Sequence, residues 1–317
     1  MYMHDEILEE PEVMIRTFEN VRDILPIEKI KGAKGVFLTG DGTSYHASLY
    51  LENILFRAGI NARAFPATEF PQYIGDVSNY LCIVFSQSGE NSDVLRSIKK
   101  WKNMGGKIIS VVNKEYSSLG EMSDVTIFLN AGEERAIPAT KSYISMLTFS
   151  YSIHKIMNGG YPEINSLSKN LSDVIKKEYI IKEISSNVKE RIFILAKGIN
   201  YITALEASLK LIETAGIPSM PFYFGEVFHG PIEIFNNKST VFIIEDNIEK
   251  EYINKIKEYS DVITLGREGD IILEYADDES FPIVGIVPFQ LLSYHLALRN
   301  GRNPDRPERL NKVVRDH

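Results

Sequence analysis

The chain has 317 residues, of which 44% are hydrophobic and 25% are charged, as is typical of globular proteins. This length favours two domains, and the net charge of -8, with Lys and Arg spread along the chain, argues against nucleic acid as a partner. The single cysteine, Cys82, excludes a disulfide framework and a cysteine-ligated metal. With no signal-peptide core and no apolar run that approaches ~18 residues, no membrane association is expected, and a cytoplasmic protein is predicted.

Short apolar runs alternate with helix-length segments in the first half of the chain. Helical spacing of apolar residues over 7–25 predicts an N-terminal helical arm, placed at residues 1–30. The alternation that follows indicates a first α/β domain at 31–168, with a parallel sheet covered by helices on both faces. Its strands are predicted at 35–38, 62–65, 81–85, 108–112 and 125–129.

The same pattern restarts after a polar stretch at 169–190, which is predicted to be a linker helix. A second α/β domain of similar length is predicted at 191–300, closed by a helix at 291–298 that ends at Asn300-Gly301. The tail at 301–317 is basic, and its composition alone favours an exposed segment. The second set of strands is predicted at 192–196, 218–222, 240–244, 262–265 and 282–287.

Two turns rich in hydroxyl groups follow predicted strands of the first domain. Thr39-Gly40-Asp41-Gly42-Thr43-Ser44 opens one helix, and Ser86-Gln87-Ser88-Gly89-Glu90-Asn91 leads into another. Hydroxyl donors and free backbone N–H groups at a helix start favour an anion, whereas either turn alone could serve only for capping. Because open α/β sheets bind ligands at the carboxyl ends of their strands, the two turns together predict a phosphate site.

These motifs resemble a known family. Gly42-Thr43-Ser44, Ser86-Gln87-Ser88-Gly89-Glu90 and Ala139-Thr140-Lys141 are similar to the first SIS (sugar isomerase) domain in the isomerase half of glucosamine-6-phosphate synthase. The resemblance continues in the second half and covers nearly the whole chain, which implies two tandem SIS domains with a C-terminal active-site tail. The motifs that carry it there are residues 205–213, 225–231, 288–295 and 305–312.

The resemblance implies a role for each matching residue. Glu213 matches the acid-base carboxylate that moves a proton between C1 and C2 of the sugar, and Lys210 lies on the same helix face. Without the resemblance, a surface salt bridge would be the preferred interpretation of that pair. Lys312 matches a lysine at the substrate carbonyl that can form a Schiff base. Substrate and phosphate contacts are assigned to Thr43, Ser44, Ser86, Gln87, Ser88, Asn91 and Ile137, where Asn91 replaces a threonine.

His229 matches the histidine that opens the sugar ring, a proton transfer suited to imidazole. In the family this histidine comes from the partner subunit, which implies a homodimer with shared active sites. The aromatic residues Phe222, Tyr223, Phe224 and Phe228 around it are expected to form an apolar interface surface. No cofactor is expected, and no metal, because the catalytic candidates lack zinc-ligand spacing.

The predicted function is deamination of glucosamine 6-phosphate to fructose 6-phosphate and ammonia. The chain begins Met1-Tyr2-Met3 and its only thiol lies in a predicted strand, so no glutamine-hydrolysing domain of its own is expected. The alternatives are a deglycase or isomerase acting on another sugar phosphate and ammonia-dependent synthesis of glucosamine 6-phosphate. A non-catalytic sugar-phosphate sensor is disfavoured, because a sensor would not need Glu213, His229 and Lys312 together.

Overall fold

The computed structural model describes residues 1–244 and 249–312, which form two compact units. The N-terminal sheet unit contains Glu9–Glu134, Ala139–Asn165 and the tail residues 311 and 312. The C-terminal sheet unit contains Met1–Leu8, Arg135–Pro138 and Ser166–Leu310. Both units are built from several chain segments, and each segment is held by contacts within its unit.

A parallel five-stranded sheet forms the centre of the N-terminal sheet unit. Its strand order is β2-β1-β3-β4-β5, and β1 lies between its two neighbours with Val36 opposite Ala62 and Leu81. Because all pairs are parallel, the carboxyl ends of the strands meet at one edge. Every strand predicted in this half is confirmed, with ends shifted by one or two residues. The strands are β1 (Gly35–Gly40), β2 (Ala62–Pro66), β3 (Tyr80–Ser86), β4 (Lys107–Val112) and β5 (Val125–Phe128).

Helices cover both faces of this sheet. The helix at Lys141–Met157 is buried along most of its length, and its hydroxyl side chains donate to carbonyls one turn earlier, as from Thr148 to Ile144 at 2.7 Å. It packs against α2 and α4 of the same unit, while α1 belongs to the other unit. The helices are α1 (Tyr2–Leu8), α2 (Glu10–Val21), α3 (Ile27–Gly32), α4 (Thr43–Arg57), α5 (Phe70–Tyr73), α6 (Ser92–Asn103), α7 (Ser118–Met122) and α8 (Lys141–Met157).

A second parallel five-stranded sheet forms the C-terminal sheet unit, in the order β10-β9-β8-β6-β7. Four of its strands were predicted, but the strand expected at 282–287 is wrong, because Phe281–Gly285 is a buried helix with a proline in its first turn. A short buried apolar run does not distinguish a strand from a helix by periodicity. The strands are β6 (Arg191–Ala196), β7 (Ser219–Tyr223), β8 (Ser239–Ile244), β9 (Asp261–Gly266) and β10 (Ile271–Ile272).

The stretch predicted as a linker helix contains the end of one helix and the whole of the next. The second of these packs against the closing helix of the same unit, which ends at Asn300 with Gly301 at φ +68°, as predicted. The helices are α9 (Ile164–Lys176), α10 (Glu178–Asn187), α11 (Asn200–Lys210), α12 (Lys250–Lys257), α13 (Phe281–Gly285) and α14 (Val287–Arg299), and single helical turns lie at Leu211–Ala215, Phe224–His229 and Pro231–Ile234.

One segment, Phe281–Arg299, is long and apolar enough to span a bilayer by length and composition. The expectation that no apolar run approaches this length is therefore wrong. Of its most apolar window, 83% is buried within the protein, as in the core helix of a soluble protein. Burial explains the composition, because a helix surrounded by protein is apolar on all sides.

Candidate functional site

The first hydroxyl-rich turn joins β1 to α4 at the carboxyl edge of the N-terminal sheet. Gly40 is required there, because a Cβ on it would lie 2.8 Å from the backbone of Ser44. Gly42 adopts φ +52° and precedes Thr43, the first residue of α4. Ser44 is buried and Thr43 is half-buried. The predicted contact residues therefore lie in the first turn of a helix, and the positive end of the helix dipole favours an anion.

The second turn follows β3 at the same sheet edge. Ser86 Oγ accepts a hydrogen bond from the Gly89 N–H at 3.0 Å, and Ser88 Oγ accepts one from the Glu90 N–H at 3.2 Å. Each hydroxyl oxygen is thus oriented by the backbone, and its proton remains for another acceptor. Gly89 has φ +68° and lies so close to Ser117 that a Cβ would collide with it. This turn presents hydroxyl donors in a fixed geometry.

Asn91 ends this turn and caps α6. Its Oδ1 accepts hydrogen bonds from the backbone N–H groups of Asp93 and Val94, at 2.9 and 3.2 Å. Because the oxygen is used by the cap, only the amide nitrogen of this side chain can donate to a ligand. The substrate contact expected of Asn91 stays a prediction, as does that of the half-buried Gln87.

Asp41 lies in the first turn and is a carboxylate among neutral donors. Its Oδ1 accepts a hydrogen bond from the Ala67 N–H at 3.1 Å, whereas no donor in the described part of the chain reaches its buried Oδ2. Burial, with a smaller contribution from the nearby Asp93 charge, raises the pKa of Asp41 to about 6.

A charged cluster lies at the end of α11 in the C-terminal sheet unit. Lys210 Nζ lies 3.3 Å from Glu206 Oε1 and also donates to Glu213 Oε1. Lys210 and Glu206 are each 1% exposed at their side chains, whereas Glu213 is 14% exposed. The alternative of a surface salt bridge is therefore wrong for this pair. Of the two carboxylates, Glu213 is the one that a substrate can reach.

Glu213 lies in a π-helical turn, Leu211–Ala215, which continues α11 and ends at Gly216 with φ +67°. Such insertions in helices are rare and are frequent at functional sites. Burial alone would lower the pKa of Lys210, but the charges of Glu213 and Glu206 outweigh it and raise that pKa. Lys210 therefore stays an ammonium, which compensates one of the two carboxylate charges.

His229 ends a short 3₁₀ helix, Phe224–His229, and is exposed. The expectation that its aromatic neighbours form a surface patch is wrong in part. Phe224 is buried in the core of its own unit, and Phe222 and Phe228 pack partly buried against that core. Only Tyr223 is largely exposed among these four aromatic residues. His229 itself is exposed on its unit, and the role expected for it in another subunit stays a prediction.

The tail is anchored within each unit. Asp305 accepts hydrogen bonds from the N–H groups of Tyr2 and Met3 through its side chain, and from the half-buried Ile137 through its carbonyl at 2.9 Å. Lys312 Nζ donates to Glu134 Oε2 at 3.2 Å. Through residue 312 the tail is thus held rather than free, while residues 313–317 of the predicted tail lie outside the described part of the chain.

Sequence reasoning did not find Glu134 or the shared contacts of Glu178. Glu178 accepts from His4 at 3.0 Å and from His295 at 2.8 Å, which assigns these histidines to packing of α1, α10 and α14. Glu134 is buried and receives Lys312, which lies 178 residues away in sequence. No sequence pattern signals a pair so far apart, although Glu134 lies shortly before the quoted Ala139-Thr140-Lys141 motif.

Comparisons with known proteins give the wider context. Residues 29–153 match the SIS domain family. A glutamine–fructose-6-phosphate aminotransferase [isomerizing] from Thermotoga maritima is 31% identical over 99% of this chain. The chain spans 58% of that relative's length.

Solved structures match over their full length. The chain aligns with a glucosamine-6-phosphate deaminase from Thermotoga maritima at 26% identity, with a TM-score of 0.87 and 99% coverage of both chains. It aligns with the C-terminal domain of glucosamine-fructose-6-phosphate aminotransferase from Francisella tularensis at 27% identity and a TM-score of 0.82, covering 97% of this chain and 98% of that one.

Proposed function

Because this chain is a SIS-domain protein, we propose that it is an enzyme that converts glucosamine 6-phosphate to fructose 6-phosphate and ammonia. The observation that carries this proposal is the buried cluster of Glu206, Lys210 and Glu213, in which only Glu213 is accessible. A carboxylate sheltered from water beside a permanent cation is suited to take a proton and return it. A protein that only binds sugar phosphates has no need of such a group.

The phosphate is proposed to bind at the two turns of the N-terminal sheet. Ser44, Ser86 and Ser88 present hydroxyl groups there, and α4 and α6 begin at the same edge. Neutral donors and helix N-termini together stabilise a phosphate monoester. Thr43, Gln87, Asn91 and Ile137 are proposed as further substrate contacts on the basis of the family resemblance.

The chemistry is proposed to run in three steps. His229 of the partner subunit assists ring opening, after which Glu213 moves a proton between C2 and C1 through an enediol- or enamine-type intermediate. Proton return to C1 leaves an imine at C2, water adds to that carbon, and ammonia departs, so that the water oxygen becomes the C2 carbonyl of the keto sugar. Lys312 is assigned a place beside the substrate carbonyl, and Lys210 keeps Glu213 oriented within its cluster. These roles imply a homodimer and a second SIS-type fold in the C-terminal sheet unit.

The deaminase direction is supported by the match to the Thermotoga maritima deaminase, since the alignment covers 99% of each of the two chains. A second candidate is the reverse reaction, the amination of fructose 6-phosphate. It is favoured by the 31% identity to aminotransferases that are longer than this chain. Both candidates need the same proton transfer at Glu213. They differ only in whether the nitrogen is released as ammonia or supplied to the sugar.

The test is to incubate the purified protein with glucosamine 6-phosphate and to measure ammonia and fructose 6-phosphate. Equal amounts of both products are expected, and none from the Glu213→Gln variant. A parallel reaction with fructose 6-phosphate and either ammonium or glutamine distinguishes the second candidate. Turnover of a different amine adduct in a panel of sugar phosphates would identify a deglycase, and tight binding without turnover of any of them would identify a sensor.

A further inference from the structure

The N-terminus of α8 holds a buried carboxylate, that of Glu134. Glu134 Oε1 accepts hydrogen bonds from the backbone N–H groups of Thr140 and Ser142, at 3.0 and 3.1 Å. Its Oε2 accepts from Ser142 Oγ at 2.8 Å and from Lys312 Nζ at 3.2 Å. Three of the four bonds fix the carboxylate to the first turn of the helix, and the fourth joins it to Lys312 of the tail.

The two partners differ in how firmly they are held. Glu134 is fully buried and hydrogen-bonded to a helix of 17 residues. Lys312 is 26% exposed, and its ammonium lies at the end of a long side chain on the tail. A flexible lysine of this kind loses much rotamer freedom when it is fixed in one position. A rigid carboxylate acceptor supplies the interaction that fixes it. Glu134 is therefore the fixed partner and Lys312 the positioned one.

The charge of Glu134 persists at neutral pH. Burial by itself would raise the pKa of Glu134, but the Lys312 ammonium and the bonds from Thr140 and Ser142 outweigh burial and lower it. Removal of Lys312 would therefore leave a fully buried carboxylate poorly compensated.

We propose that Glu134 is a positioning residue for the active-site lysine, because it anchors Lys312 and the tail to the first turn of α8. The proposal rests on the proposed function for the role of Lys312, but the anchoring itself does not. If it is correct, Glu134 affects catalysis only through Lys312. Misplacement of a reacting group by about 1 Å can lower a rate ~10²-fold, so Glu134→Gln should lower kcat/KM by about that factor.

The first measurement needs no substrate. Competitive acylation followed by mass spectrometry gives the reactivity of Lys312 relative to the exposed Lys99 of the same unit. Loss of the charged partner in Glu134→Gln should raise the relative labelling of Lys312 about fivefold. Glu9→Gln is the matched control. Glu9 forms an ion pair at 2.6 Å with Lys141, the first residue of α8, so this variant makes the same chemical change in a neighbouring ion pair. Labelling of Lys312 should stay within about twofold in that control.

The second measurement is kcat/KM in a double-mutant cycle with Lys312→Met. Glu134→Gln should lower activity in the wild-type background and have no further effect in the Lys312→Met background. A further loss in that background would show an independent role for Glu134 and overturn the proposal. Unchanged labelling of Lys312 in a folded Glu134→Gln protein would overturn it as well. Because labelling is independent of turnover, an inactive enzyme with the expected labelling contradicts only the proposed function.

Lys312→Met carries the test if Glu134→Gln does not fold. Without the ammonium the pKa of Glu134 rises, and a depressed carboxyl pKa contributes stability that is lost as the pH falls through it. The acid-unfolding midpoint of Lys312→Met should therefore shift to higher pH than that of the wild type. An unchanged midpoint would show that the pair does not anchor the tail.

Discussion

Two carboxylate sites, one at the end of α11 in the C-terminal sheet unit and one at Asp41 in the N-terminal sheet unit, have opposite surroundings. In the C-terminal sheet unit, Glu206 and Glu213 share the ammonium of Lys210. In the N-terminal sheet unit, burial raises the pKa of Asp41 to about 6, and no donor among the described residues reaches its Oδ2. A buried charge is maintained when an opposite charge compensates it and is lost to protonation when none does.

This difference corresponds to the two tasks proposed for the units. Proton transfer needs an accessible carboxylate, and the C-terminal sheet unit places Glu213 beside the ammonium of Lys210. Phosphate binding needs donors without negative charge, and the turns of the N-terminal unit consist mainly of hydroxyl and backbone N–H groups. Asp41 and Glu90 are the carboxylates in those turns: Glu90 accepts hydrogen bonds from the N–H and the hydroxyl of Ser118, whereas burial raises the pKa of Asp41 to about 6.

The largest expected effect is that of Glu213→Gln, which keeps the size of the side chain and removes the base. We expect kcat to fall by ~10²–10⁴-fold with KM nearly unchanged, because proton transfer occurs only in the transition state. Steady-state kinetics with glucosamine 6-phosphate measures both constants. The exposed Glu233→Gln in the same unit is the control. A fall in kcat of less than tenfold would assign the base to another residue.

The next prediction concerns the subunit that supplies His229. Glu213→Gln and His229→Ala should each be nearly inactive, and mixed dimers made by joint refolding should regain activity. Random pairing makes about half of the dimers mixed, and each mixed dimer has one complete site of two, so about a quarter of wild-type activity is expected. If mixed dimers form and the mixture stays inactive, His229 serves its own chain.

Asp41→Asn tests the cost of the uncompensated carboxylate. The pKa of Asp41 is raised from its ordinary value of 3.8 to about 6 in the folded protein. Such an acid contributes stability that is fully present below pH 3.8 and is lost as the pH rises through the folded-state pKa. Relative to the wild type, the variant should gain ~1–2 kcal/mol of unfolding free energy between pH 4 and pH 7. Urea unfolding across this range measures the change.

The exposed Glu69→Gln is the matched control for Asp41→Asn, and its stability relative to the wild type should change little with pH in this range. A difference between Asp41→Asn and the wild type that does not depend on pH would show that the pKa of Asp41 is not raised in the folded protein.

The smallest expected effect is that of Ser88→Ala. Loss of one hydrogen bond from a neutral hydroxyl to the phosphate should raise KM for glucosamine 6-phosphate about tenfold and leave kcat within about twofold, because ground and transition states share that contact. Glucosamine without phosphate provides the comparison, and its weak turnover should be the same in both proteins. An equal effect on both sugars would remove Ser88 from the phosphate site.

The candidate site was predictable to different extents in the two units. The hydroxyl-rich turns follow strands whose apolar runs are evident in sequence, so their place at one sheet edge followed from the alternation of elements. The pairing of Lys210 with Glu213 was expected from their spacing of three residues. Its burial was not, because the same spacing occurs in exposed salt bridges. The strand expected at 282–287 failed because a buried apolar run fits either a strand or a helix.

The sequence by itself determined the α/β class, nine of the strands, the turns that follow β1 and β3, and a family resemblance that assigned residues to roles. Only the tertiary structure decided which carboxylates are compensated, since the sequence shows Asp41, Glu134 and Glu213 simply as acidic side chains. Glu213 has its cation three residues away at Lys210, whereas the cation of Glu134 comes from Lys312, which lies 178 residues away in sequence. The physical reason is that patterning along the chain records local preference, whereas the solvation of a charge depends on everything that packs around it.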